Sequence, residues 1–279
     1  MASTEQLFDP NLRDLRQVRA ERIGFADFLH QEAISLLRQR LAEVNKSFNK
    51  VLIVSRQTEI WREPFRHSIV LKDNDILGAE EGEFDLAIHA LCAHSSNDPV
   101  GQFVQLRRSL KPDGLMIAVM FGGQTLSELR ISLAQAEAEV RGGLSPRVSP
   151  MGEIRDLGGL IGRAGLALPV ADSLTFPVSY SSPLKLMQDL RAMGETNVLS
   201  AQARGFMRRD VLARALEIYQ ENFSLEDGRV SATFEMVFLT GWAPSETQQQ
   251  PLKPGSAKAR LADALKTIEI PSGETPSGD

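Results

Sequence analysis

Four short, nearly unbroken apolar runs constrain this chain more than any other feature: Val51–Ser55 (VLIVS), Ser68–Leu71 (SIVL), Phe84–Leu91 (FDLAIHAL) and Leu115–Phe121 (LMIAVMF). Runs this short, without alternation, suit parallel strands buried on both faces. Two later segments, Leu174–Tyr180 and Ala232–Trp242, also read as strands. Between the runs, apolar residues recur at helical spacing. Ile34, Leu37, Leu41 and Val44 do so behind a candidate cap at Asp27; Leu126, Leu129, Leu133, Ala136 and Val140, and Leu212, Leu216, Tyr219 and Phe223, form two further series. Ser149-Pro150 ahead of Ile154, and Ser182-Pro183 ahead of Leu184, read as caps followed by proline at the first helical position. Strands alternating with helices predict an α/β fold with a mostly parallel sheet.

Three regions follow. Residues 1–48 form an N-terminal helical segment, and residues 49–242 form the sheet domain with a helical insertion at about 181–223. Residues 243–279, rich in Pro, Gly, Ser and Gln, are expected to be a flexible tail with a short helix over 260–268. The net charge of -5 argues against nucleic-acid binding through bulk charge. No run approaches the 18 apolar residues of a membrane-spanning helix. No signal peptide is expected at the polar N-terminus. A single cysteine, Cys92, makes no internal disulfide, and a reducing, cytoplasmic setting is the expectation.

The segment Leu110-Lys111-Pro112-Asp113-Gly114 marks a helix stop and a tight turn into the next strand. It resembles the turn before the fifth strand of class I S-adenosylmethionine-dependent methyltransferases, and Glu83-Phe84-Asp85-Leu86-Ala87-Ile88 resembles their fourth strand. Ligands of open α/β sheets bind beyond the carboxyl ends of strands. His94, Asn97 and Asp98 would therefore face a pocket.

The run Leu110–Leu126 continues with Glu128-Leu129-Arg130, Gly142-Gly143-Leu144-Ser145-Pro146, Asp156-Leu157-Gly158 and Gly162-Arg163-Ala164-Gly165. Met193-Gly194-Glu195, Ala232-Thr233-Phe234-Glu235 and Gly241-Trp242 follow. Together these resemble the methyltransferase-fold family that assists assembly of respiratory complex I, whose mitochondrial member is described as a protein-arginine hydroxylase acting on a complex I subunit. The carrier-protein methyltransferase of biotin synthesis is a more distant resemblance. The fold implied is a Rossmann-like class I methyltransferase fold.

The departure from that family is as informative as the match. Its members carry an Asp-Leu-Gly-x-Gly-type turn after the first strand, where glycine lets backbone approach the cofactor. Here Val51–Ser55 is followed by Arg56-Gln57-Thr58-Glu59, and no glycine occurs between Gly24 and Gly78. Only Arg56–His67 separates the first two runs, which leaves room for one short helix but not for a helix, strand and helix. The second strand and the glycine-rich loop are therefore expected to be missing. Val70-Leu71-Lys72-Asp73 matches the family's third strand and its acidic end.

On this reading Asp73, His94 and Gly122 are the candidate cofactor-side residues, and Arg130, Arg141 and Arg147 the candidate partner-binding ones. The segment Arg141–Pro150 is expected to be a surface loop on which Arg141 and Arg147 can be replaced by Glu without unfolding. His89 reads as a satisfied core histidine and Cys92 as a small buried group. Arg13, Arg16, Arg19 and Arg22 share one side of a helix, as a solvated face or a dock for phosphate or an acidic partner. No metal site is expected. Two functions follow from the resemblance. One is a protein that has lost its cofactor site and holds a client, a complex I subunit, with no cofactor. The other is an active S-adenosylmethionine-dependent methyltransferase or protein-arginine hydroxylase.

Overall fold

A computed structural model describes residues 6–202, 205–248, 262–263 and 266–267. Most of the expected tail lies outside the described residues, and of its expected short helix only residues 262–263 and 266–267 are described, the first pair helical.

Two helices lead, α1 (Pro10–Ile23) and α2 (Phe28–Glu43). Then come β1 (Val51–Ser55), α3 (Thr58–Arg62), β2 (Ile69–Lys72), β3 (Phe84–Ala90), α4 (Pro99–Ser109), β4 (Leu110–Phe121), α5 (Ser127–Arg141) and α6 (Ile154–Arg163). The series ends with β5 (Ala167–Tyr180), α7 (Pro183–Met193), α8 (Arg209–Phe223) and β6 (Val230–Trp242). One sheet carries all six strands in the order β2-β1-β3-β4-β6-β5. The first four are parallel, and β6 is antiparallel to both β4 and β5.

Three of the four apolar runs, in β1, β3 and β4, have the meaning assigned to them, whereas Ser68–Leu71 falls on the edge strand β2 and is not buried on both faces, with Ile69 exposed. Successive residues point to opposite faces of the pleat, and both faces are covered. Ile53, Leu86, Ile88, Ile117 and Val119 pack with α2, α5, α7 and α8 on one face, whereas Leu52, Val54, Ala87, Met116 and Ala118 pack with α4 and α6 on the other. The expected deletion is visible in the topology. A doubly wound sheet places its second strand beside the first and its third beyond that. Here β2 sits directly beside β1 and ends the sheet, and Arg56–His67 holds only the short α3. The strand whose spacing matches a third strand thus occupies a second strand's place.

Local details differ from the sequence reading in four places. Ser149-Pro150 does not start α6: the helix begins at Ile154 with Glu153 at its N-cap. Asp27 makes no capping bond to backbone and instead accepts from Gln31 Nε2 at 2.9 Å. The buried stripe of α8 is Val211, Ala215, Ile218 and Tyr219, one residue round from Leu212 and Leu216. In the turn before β4's core run, the left-handed residue is Asp113 (φ 62°), whereas Gly114 is needed for space, since a Cβ there would lie 2.9 Å from the Lys111 carbonyl oxygen. The Ser182 hydroxyl does cap α7, accepting from Lys185 N at 3.2 Å.

Candidate functional site

The carboxyl ends of β1, β2 and β3 converge where an open α/β sheet binds its ligand. Arg56, the first residue after β1, fills that convergence. Its Nε donates to Asp73 Oδ2 at 3.0 Å, and its terminal nitrogen donates to Ser95 Oγ at 2.8 Å. Arg13 arrives from α1, donating to the Ser95 carbonyl at 3.2 Å and lying 3.6 Å from Asp73 Oδ2. The other oxygen of Asp73 accepts from Gln102 Nε2 at 2.6 Å. Burial alone would raise the Asp73 carboxyl. The Arg56 guanidinium foremost, with His89, Arg13 and Gln102, holds it below the ordinary carboxylate range. Asp73 is thus an ionised, fully enclosed carboxylate with neither oxygen free.

Behind it lie His89 and Cys92. One ligand-type atom from each of Asp73, His89 and Cys92 falls within 4.8 Å of the others. His89 Nε2 meets Gln102 Oε1 at 3.2 Å, and its Nδ1 meets Cys92 Sγ at 3.5 Å. A cation is poorly served here. Arg56 and Arg13 already supply positive charge to Asp73, and burial pushes the Cys92 thiol well above its usual range. The trio is an internal polar network. His89 is a satisfied core histidine and Cys92 a buried thiol, as the sequence suggests.

In front of Arg56 opens a cavity of about 600 Å³, walled by α1, α5, the segment Pro146–Met151, α7 and the segment Gly194–Val198. Its apolar wall includes Leu126, Leu129, Leu133, Met151, Met187 and Leu190. His94 forms part of the lining. Its Nε2 donates to Glu195 Oε2 at 3.0 Å, and its ring packs 4.8 Å from that of Phe121. Burial would raise the Glu195 carboxyl, but the charge and hydrogen bond of His94, aided by Arg56, keep it below its usual range. Arg16, Arg19 and Arg191 also line the cavity, and their guanidiniums have no hydrogen bond or ion pair among the described residues.

Of the residues singled out from sequence, the structure brings His94 to the cavity and leaves Asp73 behind Arg56. Asn97 pins the N-terminus instead, exchanging two 2.9 Å bonds with the backbone of Phe8, and Asp98 caps α4 through Gly101 N at 2.7 Å. Gly122 makes room for Glu235, whose Oε2 would lie 2.5 Å from a Cβ there. Arg130 ties the turn before α5, donating to the carbonyls of Gly123 at 3.3 Å and Thr125 at 3.0 Å. Arg147 lies 2.7 Å from Glu137, whose side chain is fully buried, while Arg141 is 3.5 Å from the same carboxylate and 45% exposed. The expectation that both arginines sit on a replaceable surface loop is therefore corrected. Arg141 is the exposed last residue of α5 and Arg147 lies on the segment that follows, where it neutralises a buried acid, so only Arg141 is freely replaceable. Sequence reasoning gave no role to Arg191, Glu195 or Thr196. The signal available was the helix stop at Gly194 (φ 78°), which turns the chain across the cavity.

The sheet order, its carboxyl-end cavity and the helices on both faces define a class I methyltransferase-type α/β protein. No family model matches the chain. Its curated relatives are more specific. "Arginine-hydroxylase NDUFAF5, mitochondrial" of Mus musculus is 32% identical over 274 residues, covering 89% of this chain and 80% of the relative. The Danio rerio protein of the same name is 40% identical over 205 residues, covering 74% of this chain and 64% of the relative's own length. The malonyl-[acyl-carrier protein] O-methyltransferase of Laribacter hongkongensis is 30% identical over 188 residues, covering 67% of this chain and 61% of that protein. The chain belongs to the NDUFAF5 arginine-hydroxylase family. The expectation of a cytoplasmic protein is overturned, since the NDUFAF5 relatives are named as mitochondrial. A lone buried thiol excludes an internal disulfide but does not tell one reducing compartment from another.

Proposed function

We propose that this protein serves respiratory complex I assembly by holding a protein client, and that it does so without S-adenosylmethionine. The client role comes from the family resemblance. The single observation carrying the second half is the Arg56–Asp73 pair. A glycine turn after β1 lets a cofactor approach the backbone, and a free acid beyond it orients the ribose. Here an arginine side chain stands in that approach, and the acid that follows β2, Asp73, is spent on Arg56, Arg13 and Gln102. A group so enclosed cannot accept from a ribose hydroxyl without breaking a buried ion pair.

Deleting the gene is expected to lower complex I activity and assembly on native gels, while other respiratory enzymes stay intact. Restoration by the wild-type chain completes the test. Normal complex I in the deletion strain would contradict the proposal. The relatives' name favours a second reading, hydroxylation of a client arginine. A client arginine heavier by one oxygen in the wild type, and unmodified in the deletion strain, would establish it.

A further inference from the structure

We propose that the cavity in front of Arg56 binds an amphipathic organic acid: one carboxylate carried on an apolar chain. This goes beyond the client-holding reading and does not depend on it.

The charge at the cavity is unbalanced. Arg147 answers Glu137, Arg56 answers Asp73, and His94 answers Glu195. Among the described residues, that leaves Arg16, Arg19 and Arg191 with no acid. Arg16 Nε is buried without a partner, and its guanidinium feels both burial and the like charges of Arg19 and Arg191. Like charges gathered at a cavity without a counter-ion cost free energy that an anion recovers. Guanidinium forks match a carboxylate bidentately.

The same lining has an apolar part, from Leu126 at the N-cap of α5, Leu129 and Leu133 of α5, and Met187 and Leu190 of α7. Two further lining groups await partners. The His94 side chain is 2% exposed with Nδ1 unbonded, and Thr196 Oγ1 is buried and unbonded. Buried polar atoms in native structures are normally satisfied, by protein, water or ligand. A volume of about 600 Å³ lies within the range of small-molecule sites. Glu195 carries negative charge on the same wall, which disfavours a ligand with a second anionic end. One charge at the arginines and an apolar body against the leucines is the chemistry that remains.

The test uses the full chain, with octanoate as probe and acetate and octylamine as controls, by titration calorimetry and thermal unfolding. Octanoate is expected to bind and raise Tm, with acetate and octylamine giving neither effect. The doubly substituted Arg16→Gln, Arg191→Gln chain, which removes mutually repelling charges and should stay folded, is expected to bind octanoate at least about tenfold more weakly. Leu129→Trp, which fills the apolar wall, is expected to weaken binding as well. No octanoate binding at millimolar concentration, equal binding of octylamine, or unchanged affinity in the arginine variant would each overturn the proposal. None of these outcomes bears on S-adenosylmethionine or on complex I.

Discussion

Replacing Arg56 by Met tests whether this residue is a structural plug. The change keeps much of the side chain's length and removes the guanidinium 3.0 Å from Asp73. Asp73, with a fully buried side chain, then keeps only Gln102 at 2.6 Å and the more distant Arg13 at 3.6 Å. Removing one partner of a buried pair costs about 3–5 kcal/mol. Because Arg13 remains, the lower end applies, about 3 kcal/mol. Adding Asp73→Asn removes the stranded charge, so the double variant should recover about 2 kcal/mol relative to the sum of the singles. Urea denaturation at pH 7 with an unchanged m-value reads both quantities. The pH dependence gives a second reading. In the wild type the depressed Asp73 pKa contributes stability above the unfolded carboxyl's value of about 4, lost as pH falls through the folded value. Without Arg56, burial pushes the carboxyl upward, and this acid sensitivity should shrink or reverse. Arg56→Met within about 0.5 kcal/mol of wild type, or strictly additive single variants, would refute the reasoning.

Three further outcomes follow from the structure. Arg147→Glu sets a second carboxylate against buried Glu137 and should cost at least about 3 kcal/mol in urea denaturation, whereas Arg141→Glu, at a 45% exposed side chain, should cost about 0.5 kcal/mol or less. His30 accepts from Trp61 Nε1 at 3.0 Å, and burial lowers its pKa from 6.5 to about 4. The unfolded chain therefore takes up a proton below pH 6.5 that the fold refuses until about pH 4. His30 should make stability fall by the order of 3 kcal/mol as pH drops through that window, and His30→Gln should flatten the slope. Gly122→Ala would place a methyl 2.5 Å from Glu235 Oε2 and 2.7 Å from Val237 Cγ2, and should lower stability by about 1–3 kcal/mol, measured as a fall in denaturation midpoint.

The central strands β1, β3 and β4 were legible because a strand covered on both faces must be apolar throughout, as Val51–Ser55 shows, whereas the edge strands β2 and β5 are largely unburied and carry a weaker signal. The shortened crossover was legible from chain length alone. Helix faces were harder. In α8 the buried positions include Ala215, whose small side chain carries little signal beside the larger Leu216. Ser149-Pro150 looks like a cap, yet the helix begins four residues later at Ile154. The site was legible only in its negative part: Arg56 in a glycine's place announced an obstruction. That Asp73 would answer Arg56 depends on β2 closing up against β1, which no local pattern encodes. The cavity draws Arg16 from α1, Leu133 from α5 and Glu195 from the end of α7. Such juxtapositions belong to tertiary packing, and Arg147 shows the same limit. Its loop reads as exposed, yet its guanidinium answers a carboxylate buried on α5.

Titration calorimetry of S-adenosylmethionine into the full-length protein tests the central claim most directly. With the approach after β1 filled by Arg56 and Asp73 already paired, no binding heat is expected at any concentration up to about 1 mM, a ceiling set by the affinity of a few remaining contacts. Micromolar or tighter binding that disappears on Asp73→Ala would contradict the account and restore a cofactor-dependent enzyme.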